Sequence, residues 1–318
     1  MGLRRKVKEV SPTIEEAIEE FVQSRKNRNL SGKSITWYER RNRYLLADML
    51  DKPLVELSLR DVEQRLGAVL DRASAITRNG YMRAVKVFLY WAERKNFELS
   101  LNPHQLEKAV EPKRNPPCFT HEQIVDLLSA PDQSDFCGLR DYAFMALMLG
   151  TGIRVSEMIG LRTSNVYLPK AQAPGVPEGM VEVIGKGDKQ RRIALDENCQ
   201  RVLKRYLRAR ELALSEVGLK SDALFPSRLG RHMSYRVVLD KFRKYGRQAG
   251  IENVRLSPHT TRHTFATMYM RDGGQLHHLR LILGHTTLTM SQRYAHLEDR
   301  DAFNETRTCN PLARLNLR

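Results

Sequence analysis

A proline-rich stretch constrains the fold more than any other feature, because it separates two halves with different hydrophobic patterns. Four prolines lie within this short polar stretch: Pro103, Pro112, Pro116 and Pro117. A segment of this composition is typical of a stiff, extended linker. The sequence therefore predicts four parts: a domain at 1–100, a linker at 101–117, a second domain at 118–305 and a C-terminal tail at 306–318.

The first domain is predicted to be all-helical. Apolar residues recur there at helical spacing in four segments. Ser11-Pro12-Thr13 is a good start for the first helix, and Ser58 is a good N-cap for the third. The fourth helix, from about Ser74 to Lys95, carries basic side chains on its outer face. They are Arg78, Arg83 and Lys86.

The second domain is predicted to be mainly α-helical with a small antiparallel β-sheet, which is an α+β class. Residues 139–149 form a buried apolar helix in this prediction, and the stretch Gly150-Thr151-Gly152 ends it. Met180–Ile184 alternates like a strand, and Arg191–Leu195 returns after a glycine-rich turn, which indicates a β-hairpin. After Asn198 the apolar spacing is again mainly helical.

The net charge points to a polyanionic partner. Lys and Arg number 53 against 37 Asp and Glu, which gives +16. The excess is +7 over residues 1–120 and +9 over the rest, so it does not come from one basic tail. Nucleic acid is the leading partner for such a distribution. The alternative is that the charge only keeps the protein in solution.

The cysteines and the apolar runs favour a cytoplasmic protein. The four cysteines are scattered without a Cys-x-x-Cys pair: Cys118, Cys137, Cys199 and Cys309. This spacing argues against a disulfide framework or a cysteine-bound zinc ion and fits a reducing compartment. No signal peptide is visible, and the longest apolar run, Tyr142–Gly150, is too short to span a bilayer.

Two basic residues follow glycine turns where they could meet an anion. Arg154 stands where the turn Thr151-Gly152 opens a helix, and its guanidinium could hold two oxygens of a phosphate. The alternative is an ion pair with Glu157 on the next turn. Lys186 lies at the tip of the predicted hairpin, where it could move onto a ligand and donate a proton. The alternative is a solvated lysine.

A third stretch places two histidines and an arginine on a predicted helix. Ser257 is a good N-cap with Pro258 at the first helical position. His259 and Arg262 are three residues apart and share a face of this helix. His263 is predicted to be a buried, hydrogen-bonded histidine. The pair His259 and His263 lacks the glutamate of the zinc-protease pattern, so we predict no metal site.

The fourth stretch holds a histidine at a turn and a tyrosine on the helix that follows. Gly284 has the features of a helix C-cap, and His285 comes directly after it. Tyr294 would be a poor nucleophile with an ordinary pKa of about 10 unless its attack is assisted. Two arginines, a lysine and two histidines are the assistance that attack on a phosphodiester needs, without a metal or another cofactor.

This set of residues resembles the tyrosine recombinases of the phage integrase family. Arg154, Lys186, His259-x-x-Arg262, Gly284-His285 and Tyr294 follow in the family's order and approximate spacing. The strings "TGIRVSE", "GKGDKQR", "HTTRHTFAT" and "LGHTTLTMSQRYAH" are also similar to the family's motifs. The helical module resembles the family's core-binding domain, and the second domain resembles its catalytic domain.

The resemblance implies a mechanism and a partner. The tyrosine would attack a DNA phosphate, form a 3′-phosphotyrosine and release a 5′-hydroxyl, and a partner strand would then reverse the attack. The six catalytic residues would be Arg154, Lys186, His259, Arg262, His285 and Tyr294, with Glu157 and His263 in support. The enzyme would work as a homotetramer on two sites, close as a C-shaped clamp around double-stranded DNA and use an accessory directionality factor. Arg78, Arg83 and Lys86 of the helical module would bind the DNA.

Two alternatives remain open at the level of the sequence. A type IB topoisomerase shares the tyrosine chemistry but relaxes DNA as a monomer. A degenerate integrase would bind DNA as a regulator without catalysis. The sequence does not distinguish chromosome-dimer resolution from phage or transposon integration.

Overall fold

The protein forms two compact units, residues 1–114 and 115–318, each with its own hydrophobic core. A computed structural model describes residues 11–111, 116–169, 179–185 and 190–284. The three sequence calls at Lys186, His285 and Tyr294 lie outside these described residues.

The N-terminal unit is built from four helices whose starts are set by local caps. Their bounds are α1 Ile14–Asn27, α2 Gly32–Leu45, α3 Leu59–Leu70 and α4 Ala75–Arg94. Thr13 and Glu16 form a capping box at α1, and Ser58 and Asp61 form another at α3. Phe21, Phe88 and Trp91 meet edge to face or stacked in the core between α1 and α4.

The first part of the predicted linker belongs to the N-terminal core. Leu101 and Leu106 are buried there, and a short 3₁₀ helix runs over Pro103–Gln105. The prediction of a linker that starts at residue 101 was therefore wrong for this part, because two leucines within the polar stretch have apolar surface to bury. The compact unit extends to residue 114.

The C-terminal unit contains seven helices and a small sheet within the described residues. The helices are α5 His121–Ser129, α6 Phe136–Thr151, α7 Val155–Gly160, α8 Glu197–Glu216, α9 Tyr235–Gln248, α10 Pro258–Arg271 and α11 Leu276–Leu283. The strands are β1 Val166–Tyr167, β2 Met180–Ile184 and β3 Gln190–Ala194.

The sheet is antiparallel in the order β1-β2-β3. The β2–β3 pair is the predicted hairpin, with Met180 opposite Ala194 and Ile184 opposite Gln190. Alternation buries Val181, Val183 and Ile193 against the helices. The two-residue strand β1 was not predicted, because so short a strand has no detectable alternation.

Helix α6 runs through the middle of this unit and ends at the turn that precedes Arg154. Ten of its sixteen residues are buried. Asp141 on this helix is fully buried and accepts hydrogen bonds from Arg140, from the hydroxyl of Tyr245 at 2.8 Å and from the ammonium of Lys241 at 2.7 Å. This network joins α6 to α9, since a buried carboxylate is stable only when it is paired.

None of the helices within the described ranges is long and apolar enough to cross a membrane.

Candidate active site

Two glycines in the left-handed backbone conformation shape the site. Gly152 ends α6 with φ 62°, and Gly284 ends α11 with φ 62°. Residues with a side chain rarely adopt this backbone conformation. A Cβ at Gly152 would also lie 2.5 Å from Cδ1 of Phe265. The predicted C-cap at Gly284 is confirmed, and Gly152 caps α6 within the stretch that was predicted to end it. They bring the start of α7 and the end of α11 close to α10.

Arg154 and Arg262 meet at the carboxyl end of α11. Arg262 donates from Nη2 to the carbonyl of Leu283 at 2.7 Å and from Nη1 to the carbonyl of Gly152 at 2.8 Å. Arg154 donates from Nη2 to the carbonyl of Gly284 at 3.1 Å. The last carbonyls of a helix have no partner within the helix and carry its negative dipole end, so they attract cations. The two arginines are thus held side by side.

A third arginine, Arg191 on β3, joins the same helix end. Its Nε donates to the carbonyl of Ile282 at 2.7 Å. A Cβ at Gly284 would lie 3.1 Å from its Nη1, which is a second reason for glycine at that position. Three consecutive carbonyls, of residues 282, 283 and 284, therefore each accept from a different arginine.

Glu157 lies between Arg154 and Arg191 and is nearly inaccessible, with 4 % of its side chain exposed. Oε1 accepts from Nη1 of Arg154 at 2.8 Å, and both carboxylate oxygens accept from Arg191 at 2.8 and 2.9 Å. Burial alone would raise the pKa of Glu157, but the hydrogen bonds from Arg191 and Arg154 outweigh it and hold that pKa below its usual value. The carboxylate is therefore ionised.

The ion pair of Arg154 with Glu157, which the sequence offered as an alternative to a phosphate contact, is present. It does not exclude that contact, because the side chain of Arg154 remains 30 % exposed. A guanidinium has five N–H groups, and the bonds to Glu157 and Gly284 use one on each terminal nitrogen.

His259 lies on the first turn of α10, one turn before Arg262, and its side chain is exposed. Partial burial lowers its pKa, and the charges of Arg255 and Arg262 lower it further. The neutral imidazole is therefore favoured at neutral pH, which is the form that can accept a proton.

His263 is hydrogen-bonded, as predicted, but it is half-buried rather than buried. Its Nε2 donates to the carbonyl of Pro116 at 2.7 Å. The next turn of the same helix holds the chain through Thr264, whose hydroxyl accepts from the backbone N–H of Phe119 at 3.0 Å. Both contacts fasten residues 116–119 to α10.

The three basic residues of α4 differ in their surroundings. Arg83 is exposed. The ammonium of Lys86 donates to the carbonyl of Leu106 at 2.8 Å, and Arg78 donates to the carbonyl of Glu107 at 3.3 Å. The segment around Leu106 thus covers part of the predicted outer face, and Arg83 is the most accessible of the three.

Sequence reasoning missed Arg191. The available signal was its place on the predicted returning strand, where alternation sets it on the opposite face from Arg192. Strand alternation cannot show that a carboxylate 34 positions away lies opposite the guanidinium.

Within the described ranges, no three His, Cys, Asp or Glu side chains lie close enough together to hold a metal ion.

Arg154 and Arg262 lie at one helix end, and His259 precedes Arg262 by one turn of α10. A family match accompanies this arrangement. Residues 117–301, more than half of the chain, match the phage integrase family. The chain belongs to the phage integrase family. It is a tyrosine recombinase, an enzyme of site-specific DNA recombination.

Curated relatives of this family member extend the similarity to the N-terminal unit. The tyrosine recombinase XerD of Haemophilus ducreyi is 31% identical over 302 residues, which cover 92% of this chain and 95% of that protein. The tyrosine recombinase XerD of Neisseria meningitidis serogroup B is 37% identical over 237 residues, 71% of this chain and 77% of that protein.

Solved structures show the same fold at lower identity. The Tn1549 transposon integrase in complex with transposon right end DNA has a TM-score of 0.71 and 21% identity, over 93% of this chain and 99% of that chain. The XerH recombinase bound to a palindromic difH substrate has a TM-score of 0.70 and 19% identity, over 91% and 83%. The α+β class with an all-helical N-terminal unit is thereby confirmed.

Proposed function

We propose that this recombinase cleaves double-stranded DNA through Tyr294 and rejoins it to a partner strand. The hydroxyl oxygen of Tyr294 attacks the scissile phosphorus, a 3′-phosphotyrosine bond forms, and the bond to the 5′-oxygen breaks. The 5′-hydroxyl of a partner strand then reverses these steps. One phosphodiester is exchanged for another, so the energy of the broken bond is retained and no ATP is consumed.

The single observation that carries the proposal is the convergence of Arg154 and Arg262 on adjacent carbonyls of α11. Two guanidiniums side by side can hold the two non-bridging oxygens of one phosphate and stabilise the charge that develops on them. The chain passes from these carbonyls directly to His285. Removal of one such donor should lower the cleavage rate by about 100- to 1000-fold, by analogy with oxyanion donors.

The remaining residues supply proton transfers. His259, whose pKa is lowered beside Arg255 and Arg262, is suited as a neutral acceptor or hydrogen-bond partner for the phosphate. Lys186 donates the proton to the leaving 5′-oxygen. His285 assists at the phosphate, and no metal or other cofactor takes part. Glu157 and His263 support the site through their contacts to Arg154 and to residue 116.

The assembly we propose is a homotetramer on two recombination sites in the cytoplasm, where the nucleoid lies. Both domains contact the duplex, and Arg83 with Arg78 and Lys86 contributes contacts from the N-terminal domain. An accessory factor sets the direction of recombination. The DNA-bound XerH and Tn1549 integrase structures, which share the fold, support double-stranded DNA as the partner.

The first experiment captures covalent adducts. The full chain is incubated with a library of random DNA duplexes, denatured, and recovered with any covalently attached DNA, which is then sequenced. Wild-type protein should yield adducts on an enriched sequence, and Tyr294→Phe should bind the same duplex without forming them. An adduct that persists in Tyr294→Phe contradicts the assignment of the nucleophile.

The same duplex separates recombination from its alternatives. A recombinase should exchange strands between two labelled copies and sediment with them as a tetramer. Relaxation of a supercoiled plasmid that carries the same sequence, by monomers and without exchange, would indicate a topoisomerase. Binding without any adduct would indicate a regulator.

A further inference from the structure

The Arg191 side chain is largely buried and bonds to two elements of the site. It is 14 % exposed, and its three guanidinium nitrogens reach two different elements. Nη1 and Nη2 form a two-pronged bond to Glu157 on α7, and Nε reaches the carbonyl of Ile282 on α11. Arg191 therefore ties β3 to the two elements that hold Arg154.

Glu157 accepts hydrogen bonds from two different groups of Arg154, and both bonds require that its carboxylate keeps one orientation. Its Oε2 accepts from the backbone N–H of Arg154 at 2.7 Å, and its Oε1 accepts from the guanidinium of the same residue. A carboxylate on a free side chain would pair with Arg154 in several rotamers. The planar, two-pronged bond from Arg191 leaves one orientation of the carboxylate, because both oxygens must face the guanidinium at once.

The charge balance at the site also depends on Arg191. If Glu157 and Arg154 paired alone, the single carboxylate would neutralise the guanidinium and compete with a phosphate for it. With Arg191 on the far side, one carboxylate is shared between two guanidiniums. A net positive charge then remains on the side that faces the phosphate.

We propose that Arg191 is a positioning residue for DNA cleavage, which fixes Glu157 and the end of α11 so that the Arg154 guanidinium faces the scissile phosphate with its charge uncancelled. This inference rests on the proposed function, because it assumes that Arg154 binds that phosphate. Arg191 acts through Arg154 and does not touch the reacting atoms.

The chain offers a matched control on the adjacent residue. Arg192 lies on the same strand with its side chain 69 % exposed, and it pairs across the strand with Glu182 at 3.3 Å. Arg192→Ala removes the same atoms and the same charge as Arg191→Ala, but none of the contacts to Glu157 or Ile282.

The experiment measures the single-turnover rate of adduct formation on the duplex recovered above, nicked so that the cleaved fragment leaves. Wild type is compared with Arg154→Ala, Arg191→Ala, Arg191→Lys, Arg192→Ala and the double variant of Arg154 and Arg191. Each protein is also tested on a duplex with a neutral methylphosphonate at the cleavage position. DNA affinity and melting temperature are measured for all.

Arg191→Ala should slow cleavage of the normal duplex by about 10- to 100-fold, which is the scale for a small displacement of a catalytic group. Arg192→Ala should stay within about 3-fold of wild type, and DNA affinity should change little in either. Arg191→Lys should fall between, because lysine keeps the charge and loses the two-pronged bond.

Two readouts distinguish positioning from general stabilisation. The double variant should be no slower than Arg154→Ala alone, since a residue that acts through Arg154 has nothing to position without it. The deficit of Arg191→Ala should shrink on the methylphosphonate, as it should for Arg154→Ala, because the neutral group has less charge to stabilise.

Three results would overturn the inference. They are equal rates for Arg191→Ala and Arg192→Ala, losses that multiply in the double variant, and a deficit unchanged on the methylphosphonate. If Arg191→Ala does not fold, Arg191→Lys with its double variant gives the same comparison. Failure of wild type to form any adduct would refute the proposed function itself, which these comparisons among active variants do not.

Discussion

Substitution of Gly152 by alanine tests the close packing beneath the two arginines. Its φ of 62° is unfavourable for a residue with a Cβ, at a cost of roughly 1–2 kcal/mol. A Cβ there would also lie 2.5 Å from Cδ1 of Phe265 and 2.9 Å from Cδ2 of Leu283. Overpacking of this kind costs about 1–3 kcal/mol, because α10 and α11 must move away from residue 152 to relieve it.

Gly250 provides the matched control. It has the same φ of 62°, but no atom lies within 4 Å of the position of its Cβ. Gly250→Ala therefore has the backbone strain, and the same loss of freedom in the unfolded chain, without the clash. The difference between the two variants isolates the packing, and we expect it to be about 1–3 kcal/mol.

The assay is thermal unfolding of the full chain followed by far-UV circular dichroism. Both tryptophans, Trp37 and Trp91, lie in the N-terminal unit, so their fluorescence does not report on the unit that contains Gly152. For a domain of this size each kcal/mol lowers the melting temperature by roughly 2–4 °C. Gly152→Ala should melt roughly 2–12 °C below Gly250→Ala.

The same substitution should also slow cleavage, because relief of the clash displaces the carbonyl of residue 152, which is one of the acceptors that hold Arg262. Equal melting temperatures for Gly152→Ala and Gly250→Ala would refute the packing argument. A normal cleavage rate in a destabilised Gly152→Ala would show that displacement of this carbonyl does not disturb the position of Arg262.

Four further outcomes are expected. Lys186→Ala should slow cleavage of normal DNA, and the rate should be largely restored on a duplex with a 5′-bridging sulfur, whose thiolate leaves without a proton. Selective rescue of Lys189→Ala, at the second lysine of the same Gly-Lys-Gly-Asp-Lys stretch, would reverse that assignment. The pKa of Glu157 is lower in the folded chain than in the unfolded chain. The ionised carboxylate therefore stabilises the fold fully above the unfolded pKa, and this contribution is lost as the pH falls through the folded pKa. Stability measured from neutral to acid pH should therefore fall less steeply in Glu157→Gln, and an unchanged slope would contradict this. The pKa of His259, followed by NMR, should lie below its ordinary value and rise when Arg255 is replaced by alanine, and a midpoint at or above the ordinary value would refute the assignment. DNA affinity should fall linearly with salt concentration in a log–log plot, and a nearly flat plot would mean that the +16 charge lies away from the DNA.

Most helix starts could be predicted from the sequence because their signals are local. The capping boxes at Thr13, Ser58 and Thr120 each join residues three positions apart. The two strands of the hairpin could also be predicted, because alternation is read from neighbouring residues. The order of the basic residues and the tyrosine predicted the family, because that pattern is read along the chain.

Contacts between distant positions were decided only by the tertiary structure. Lys86 was predicted to be open to DNA, yet it donates to the carbonyl of Leu106, because two leucines draw that segment onto the N-terminal core.

The arrangement of the site itself has the same origin. Arg154 reaches the carbonyl of Gly284 across 130 positions, and Arg191 reaches Glu157 across 34. Local propensity carries no information about such pairs, because they form only when packing of α6, α10 and α11 brings a helix end to the arginines. The sequence thus determined which residues could perform the chemistry, and the packed fold determined which of them hold the others in place.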